Sequence, residues 1–304
     1  MHLNGVQHHC HTASTTKVLP QVKVTESLHE AYAHVDYWRR EGLKVGLVPT
    51  MGALHEGHLS LVNRGASECE KMAASIFVNP TQFGPNEDLD RYPRTLDADL
   101  EALQAAGVEL VFVPKPTTLY PSGFSTYIQP PANSLPLEGA FRPGHFRGVA
   151  TVVLKLFQIL PAHVAYFGQK DFQQLAVIRA MVHDLNLPIR VVGCPTMREP
   201  DGLAMSSRNR YLSESERKRS LCISRALDAA EALVLRGERE VAALEAEMTQ
   251  ILLNHTDSVD YAVIVDCDSL EAVQELQTEA VALIACYVGK TRLIDNRVLS
   301  IETE

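Results

Sequence analysis

The sequence is poor in the features that mark membrane, extracellular and nucleic-acid-binding proteins. Its longest apolar run, residues 280–288, has nine residues, against the ~20 that a spanning helix needs. A run that short reads as a buried strand. No hydrophobic stretch opens the chain, so no signal peptide is expected. Cysteine is scattered at Cys10, Cys69, Cys194, Cys222, Cys267 and Cys286, with no C-x-x-C pair. That pattern argues against a disulfide framework and for a reducing, cytoplasmic setting. Gly (17) and Pro (16) are too few for a collagen-like or low-complexity chain. Positive charge is short as well: 28 Lys and Arg against 37 Asp and Glu leaves −9. Such a balance disfavours nonspecific binding to nucleic acid or to an anionic membrane. It does not bear on a locally positive pocket.

What is present is a globular composition. Of 304 residues, 46% are hydrophobic and 21% charged, enough for one large domain or two ordinary ones. Residues 1–21 read as a disordered N-terminal extension. Within them His8, His9, Cys10 and His11 could also grip a transition metal. A helical face follows in Leu28, Ala31, Tyr32, Val35 and Trp38, with Gly42 placed as a C-cap. Strands are expected at 45–48, 73–78, 109–113, 164–167 and 189–192. Helices are expected at about 58–70, 95–106, 148–160 and 171–185. Short apolar strands alternating with helices imply an α/β fold with a parallel sheet covered on both faces. Near residue 195 the texture changes. Two helical patterns, Ile223 to Val234 and Val241 to Ile251, precede strands at 261–265, 281–288 and 292–294. Helices grouped before strands predict a separate α+β domain, so the expected division is 22–197 and 198–304.

Ligands of open parallel sheets bind at the carboxyl ends of the strands, and four polar clusters fall there. The first is Pro49-Thr50-Met51-Gly52-Ala53-Leu54-His55-Glu56-Gly57-His58. Its two histidines share one face of a first helical turn, where free N–H groups favour phosphate. The spacing does not fit the H-E-x-x-H of zinc proteases, nor the glycines G-x-G-x-x-G. The second cluster, Asn79 to Pro85 with Gln82, can both donate and accept hydrogen bonds, although it also reads as an ordinary turn. The third, Gly168-Gln169-Lys170-Asp171, offers a point charge for phosphate and a cap for the next helix; Lys170 could equally be a surface lysine. The fourth, Asp201 to Asn209, sets Ser206, Ser207 and Arg208 as an anion cradle or a capped linker.

The first cluster resembles the H-x-G-H signature of the nucleotidylyltransferase superfamily, and Met205-Ser206-Ser207-Arg208 resembles its K-M-S-K-S-type signature. The stretches Ser75 to Phe83, Arg91 to Thr95, Leu137 to Gly148 and Phe167 to Gln174 resemble the pantoate–β-alanine ligase (pantothenate synthetase) family. Arg292-Leu293-Ile294-Asp295-Asn296 extends the likeness toward the C-terminus. Arg208 stands where many superfamily members have Lys, as it does in this family.

The resemblance implies a Rossmann-like, doubly wound sheet with a smaller C-terminal α+β lid domain. It implies ATP-dependent condensation of (R)-pantoate with β-alanine through a pantoyl adenylate, giving pantothenate, AMP and pyrophosphate, with Mg²⁺. By matched position Met51, Gly52, Ala53, Leu54, His55, Glu56, Gly57 and His58 would line the ATP site, with His58 as proton donor and His55 on the phosphates. Gly168, Gln169, Lys170 and Asp171 would touch ATP, as would Met197, Met205, Ser206, Ser207 and Arg208. Gln82 and Gln174 would hold pantoate, and Gln82 would also serve β-alanine. Asp99 is the expected metal ligand. A homodimer is implied, with no nucleic-acid or membrane partner. Another adenylyl-transferring enzyme that stops at the adenylate would not need the Asn79–Gln82 loop with Gln174, and the intact His55/His58 pair and Lys170 speak against a nucleotide-sensing module.

Overall fold

The computed structural model describes residues 21–85 and 87–301. The expectations for His8, His9, Cys10 and His11 lie outside the described residues. The first half runs β1 (Lys23–Thr25), α1 (Leu28–Arg40), β2 (Val45–Thr50), α2 (Glu56–Ala66), β3 (Lys71–Ile76), α3 (Leu96–Ala105) and β4 (Leu110–Phe112). It continues with α4 (Pro116–Leu119), α5 (Glu138–Phe141), α6 (His145–Ile159), β5 (Val164–Gly168), α7 (Phe172–Asp184) and β6 (Arg190–Cys194). The second half holds α8 (Glu214–Ser220), α9 (Cys222–Leu235), α10 (Val241–Leu253), β7 (Ser258–Val265), β8 (Glu279–Val288) and β9 (Thr291–Ser300).

Six strands form one parallel sheet in the order β1-β4-β3-β2-β5-β6. Strand alternation sends Leu47, Ala73 and Ala165 to one face, where α1, α6 and α7 cover them. Val48, Ala74 and Tyr166 go to the other, under α2 and α3. This is the parallel sheet covered on both faces that the alternating pattern predicts, in the doubly wound form that the resemblance implies. Chain order reverses on either side of β2: β3 and β4 lie to one side, β5 and β6 to the other. The connections after β2 and β5 therefore diverge and leave a crevice at the carboxyl end of the sheet.

The second half is a three-stranded antiparallel sheet, β7-β8-β9. Ala282, Ile284 and Leu293 pack on α9 and α10. The opposite face sets Val281 and Leu283 against Phe172 and Leu137 of the first half. The apolar run 280–288 is thus a central strand covered on both faces. No helix among the described residues is long and apolar enough to cross a membrane. The five described cysteines are unbridged.

The short helices α4, α5 and α8 have no counterpart among the expected helices, and two strands also differ from expectation. β1 has no counterpart among the expected strands, because three residues at a sheet edge are too few to show a period. β9 runs to Ser300, well past Ile294, because the polar residues Asp295 and Asn296 are buried at 3% and 6% exposure and have partners. Gly42 does follow α1 with φ +77, the left-handed conformation that closes a helix.

Candidate active site

All four polar clusters meet at the carboxyl end of the parallel sheet. They surround a cavity of about 230 Å³ lined by Met51, His55, Gly57, His58, Gln82, Gly168, Lys170, Asp171, Gln174, Met197, Met205, Ser206, Ser207 and Arg208. A second cavity of about 580 Å³ shares Gln82, Lys170, Asp171, Ser206 and Arg208 and opens between the two halves. Gly52, Ala53, Leu54, Glu56 and Gln169 do not line the first cavity.

The two histidines cap α2. His55 is the N-cap, and its Nδ1 accepts the Gly57 N–H at 3.1 Å. His58 reaches back, its Nδ1 accepting the His55 N–H at 3.3 Å. The pair is a capping box built from imidazoles. Because each Nδ1 accepts, each neutral ring carries its proton on Nε2. Neither Nε2 has a hydrogen-bond partner among the described residues, so both N–H donors are free for a ligand. Burial holds His55 down to about 4, helped by the charges of Lys170 and Arg210. Burial likewise holds His58 down to about 3, helped by His55. Both rings are therefore neutral at pH 7. Gly57 is required here by space: a Cβ would stand 2.8 Å from His55 Cε1.

The preceding loop is held from below. Asp99 accepts the N–H groups of Ala53 (2.9 Å) and Leu54 (2.8 Å) and the hydroxyl of Thr95 (3.1 Å). Ala53 sits at φ +51, which costs an alanine roughly 1 kcal/mol or more and needs such bonds to persist. The structure thus places Asp99, the expected metal ligand, beneath this loop. The residue is 3% exposed, its oxygens are engaged by the loop, and it does not line the cavity.

Asn79 governs Gln82. Its Oδ1 accepts from Tyr120 (2.7 Å) and Thr81 (2.9 Å), while its Nδ2 donates to Gln82 Oε1 (3.0 Å) and Gly148 O (3.2 Å). The Gln82 amide is thereby oriented with its NH₂ toward Met51. Gly148 of α6 packs directly on the Thr81 carbonyl, and no Cβ fits between them. Arg142 donates to His145 Nε2 at 3.1 Å, and His145 Nδ1 meets the Gln82 carbonyl at 2.8 Å. Burial, then the Arg142 charge, lowers the pKa of this imidazole to about 4. Gln174 makes no side-chain hydrogen bond among the described residues and presents a free amide to the cavity.

The cations differ in kind. Lys170 has a side chain only 18% exposed, and its nearest carboxylate, Asp171, is 3.9 Å away. Arg208 is already engaged: Nε and Nη2 donate to the two Asp88 oxygens at 2.9 and 2.8 Å. Burial pushes the Asp88 carboxyl up, but the Arg208 hydrogen bonds and charge outweigh it and leave it below its ordinary value. Ser207 is buried and donates to the Ala53 carbonyl at 3.0 Å, joining the second signature to the first. Asp171 occupies the N-cap of α7 but makes no side-chain cap bond, so the expected capping role is not seen. Sequence reasoning does not single out Asp88, whose role depends on a partner 120 positions away.

A family model described as pantoate–β-alanine ligase matches residues 23–298. The pantothenate synthetase of Rhodopirellula baltica is 56% identical over 269 residues, covering 86% of this chain and 95% of the relative. That of Geobacter sulfurreducens is 50% identical over 282 residues, covering 92% and 100%. Among solved structures, pantothenate synthetase from Thermus thermophilus superposes with a TM-score of 0.85 at 44% identity, covering 91% of this chain and 99% of that one. Pantoate–β-alanine ligase from Francisella tularensis, complexed with β,γ ATP and β-alanine, gives 0.73 at 34% identity, covering 91% and 97%. The chain belongs to the pantoate–β-alanine ligase family.

Proposed function

We propose that this chain condenses pantoate with β-alanine using ATP and releases pantothenate, AMP and pyrophosphate. The observation that carries the reading is the convergence of the His55/His58 pair, Lys170, Gln82, Gln174 and the Ser206–Arg208 cradle on one cavity. A carboxylate is a poor acyl donor. Its oxygen first attacks the α-phosphorus of ATP, and the bond to pyrophosphate breaks. The amine of β-alanine then attacks the acyl carbon of the adenylate, and AMP leaves as the amide forms.

The protein's part is positioning and charge stabilisation. The start of α2 presents two Nε2–H donors toward phosphate, because the cap N–H groups of His55 and Gly57 are taken by the Nδ1 atoms of the same rings. Lys170 supplies a nearly buried positive charge that Asp171 neutralises only weakly at 3.9 Å. Arg208 joins by exchanging Asp88 for phosphate. A bound triphosphate raises the proton affinity of the neutral imidazoles, which lets His58 pass a proton to the departing group. Gln82, oriented by Asn79, and Gln174 hold pantoate, and Gln82 also faces β-alanine. Met197 and Met205 flank the nucleotide. Residues 198–304 form the lid that closes over it.

Mg²⁺ is part of this reading. Among the described residues no three His, Cys, Asp or Glu side chains are grouped to hold a metal ion. Asp171 lines the cavity with a half-exposed carboxylate. One carboxylate plus nucleotide phosphates is a donor set that suits Mg²⁺. Asp171 would hold the ion, whose charge would offset that of the phosphates. A cytoplasmic homodimer completes the proposal. Val24 of the edge strand and Leu28 and Tyr32 of the adjoining α1 are exposed apolar side chains consistent with an interface.

The test is AMP release with each substrate omitted in turn. AMP is expected only when ATP and pantoate are both present, with turnover requiring β-alanine. AMP release undiminished without pantoate would sink the ligase reading.

A further inference from the structure

β9 reaches both ligand-facing segments of the cleft. Strand alternation turns Leu293 and Leu299 toward α9 and α10, and turns Arg292 and Asn296 toward the first half. Arg292 meets Glu138 there with two hydrogen bonds, at 2.7 and 2.8 Å. Asn296, 6% exposed, spends its NH₂ on two consecutive carbonyls, Gln169 O at 2.9 Å and Lys170 O at 2.7 Å. These belong to the single turn Gln169–Asp171 that carries Lys170 into the cavity. The neighbouring Asp295 faces the other segment. It accepts Arg198 at 2.6 and 3.1 Å, and Arg198 also donates to Gly202 O at 3.2 Å. Arg198 is bridged to Ala204, and Met205 N donates to Met197 O at 2.9 Å. That hairpin leads directly into Ser206, Ser207 and Arg208.

We infer that Asn296 is a positioning residue for nucleotide use: it sets where Lys170 stands relative to the 197–208 segment, which Asp295 holds through Arg198. A primary amide suits the task because it offers two N–H donors to two acceptors in fixed relation. Aspartate at the same position would aim oxygens at oxygens. Alanine would leave the Lys170 turn without its tie to the second sheet. The consequence is selective. ATP meets Lys170 and the 197–208 segment together, whereas Gln82 is oriented from Asn79 and Gln174 stands on α7, beyond the turn that Asn296 ties.

The inference rests on the ligase reading. Its test uses the full chain, with ATP affinity from calorimetry and steady-state constants for ATP and pantoate. Asn296→Ala is expected to weaken ATP binding by about tenfold, the loss of one to two hydrogen bonds, and to leave the KM for pantoate within about twofold. Asn296→Asp is expected to show a deficit, relative to wild type, that is larger at pH 8.5 than at pH 6. A carboxyl facing two carbonyls is held in its protonated form more readily, and that form regains one donor. Thermal melts identify folded variants, and Asn296→Ala decides if the aspartate variant does not fold. Unchanged ATP affinity, equal losses for ATP and pantoate, or a deficit flat across pH would overturn the positioning role. A wild-type chain that binds ATP but forms no AMP contradicts the ligase reading instead, and the ATP affinities of the variants still decide the role of Asn296.

Discussion

His55 and His58 take their orientation from their own backbone, through Nδ1 bonds that span two and three residues. Ser207 and Arg208 take theirs from Ala53 and Asp88, which lie 154 and 120 positions away. Both groups enter the same cavity, yet one is prearranged by a helix cap and the other by contacts across the cleft. The difference bears on when each is ready to act. The imidazole donors are free before any ligand arrives. Arg208 must first leave a carboxylate, so nucleotide binding and rearrangement of the second signature are coupled.

The largest effects should come from side chains that are prearranged and unspent. Lys170→Ala and His58→Ala are each expected to lower turnover at least tenfold, ~1.4 kcal/mol of transition-state stabilisation or more. A near-normal rate in either variant would refute the role given to that residue. Gly57→Ala tests the cap itself. The added methyl displaces the His55 ring, and kcat/KM for ATP should fall about tenfold, with the melting temperature changing by only a few degrees. Full activity would show that the His55 geometry is not needed. Arg208→Lys keeps the charge but loses the two-pronged pairing. A smaller, severalfold loss is expected, because Asp88 already competes for this side chain; a loss exceeding that of Lys170→Ala would invert the comparison.

The smallest effect is on stability. His55, His58 and His145 sit at about 4, 3 and 4 against an ordinary 6.5. The folded chain binds these protons less readily than the unfolded one. Their contribution is therefore complete above pH 6.5 and is lost as pH falls toward 4 to 3. Burial pushes the Glu138 carboxyl up, but bonding and charge from Arg292 bring it to about 2, so a further loss follows between 4.5 and 2. The melting temperature should fall by about 5 °C between pH 7 and pH 5. A flat or rising profile would contradict the buried, neutral state of the imidazoles.

The same contrast explains what can be read from the chain alone. The parallel sheet is legible because apolar strands alternate with helices whose faces repeat every turn, as Ala31, Val35 and Trp38 do on α1. The histidine pair is legible because its geometry is local. The loop-holding part of Asp99 is not legible, because a carboxylate in the first turn of a helix looks solvent-facing in sequence. Only the folded chain brings it beneath Ala53 and Leu54. The roles of Asp88 and Asn296 are not legible for a related reason, although Asn296 belongs to the stretch that resembles the family. Their partners come from distant segments, and the polar run Asp295-Asn296-Arg297 interrupts the apolar pattern of β9 while remaining largely covered.

The central claim is that the cleft activates a carboxylate by transferring adenylate to it. The most direct measurement follows the oxygen. With pantoate labelled by ¹⁸O in its carboxylate and with β-alanine and ATP present, one labelled oxygen should appear in the phosphate of AMP, and none in pyrophosphate. Unlabelled AMP formed together with pantothenate would contradict the account.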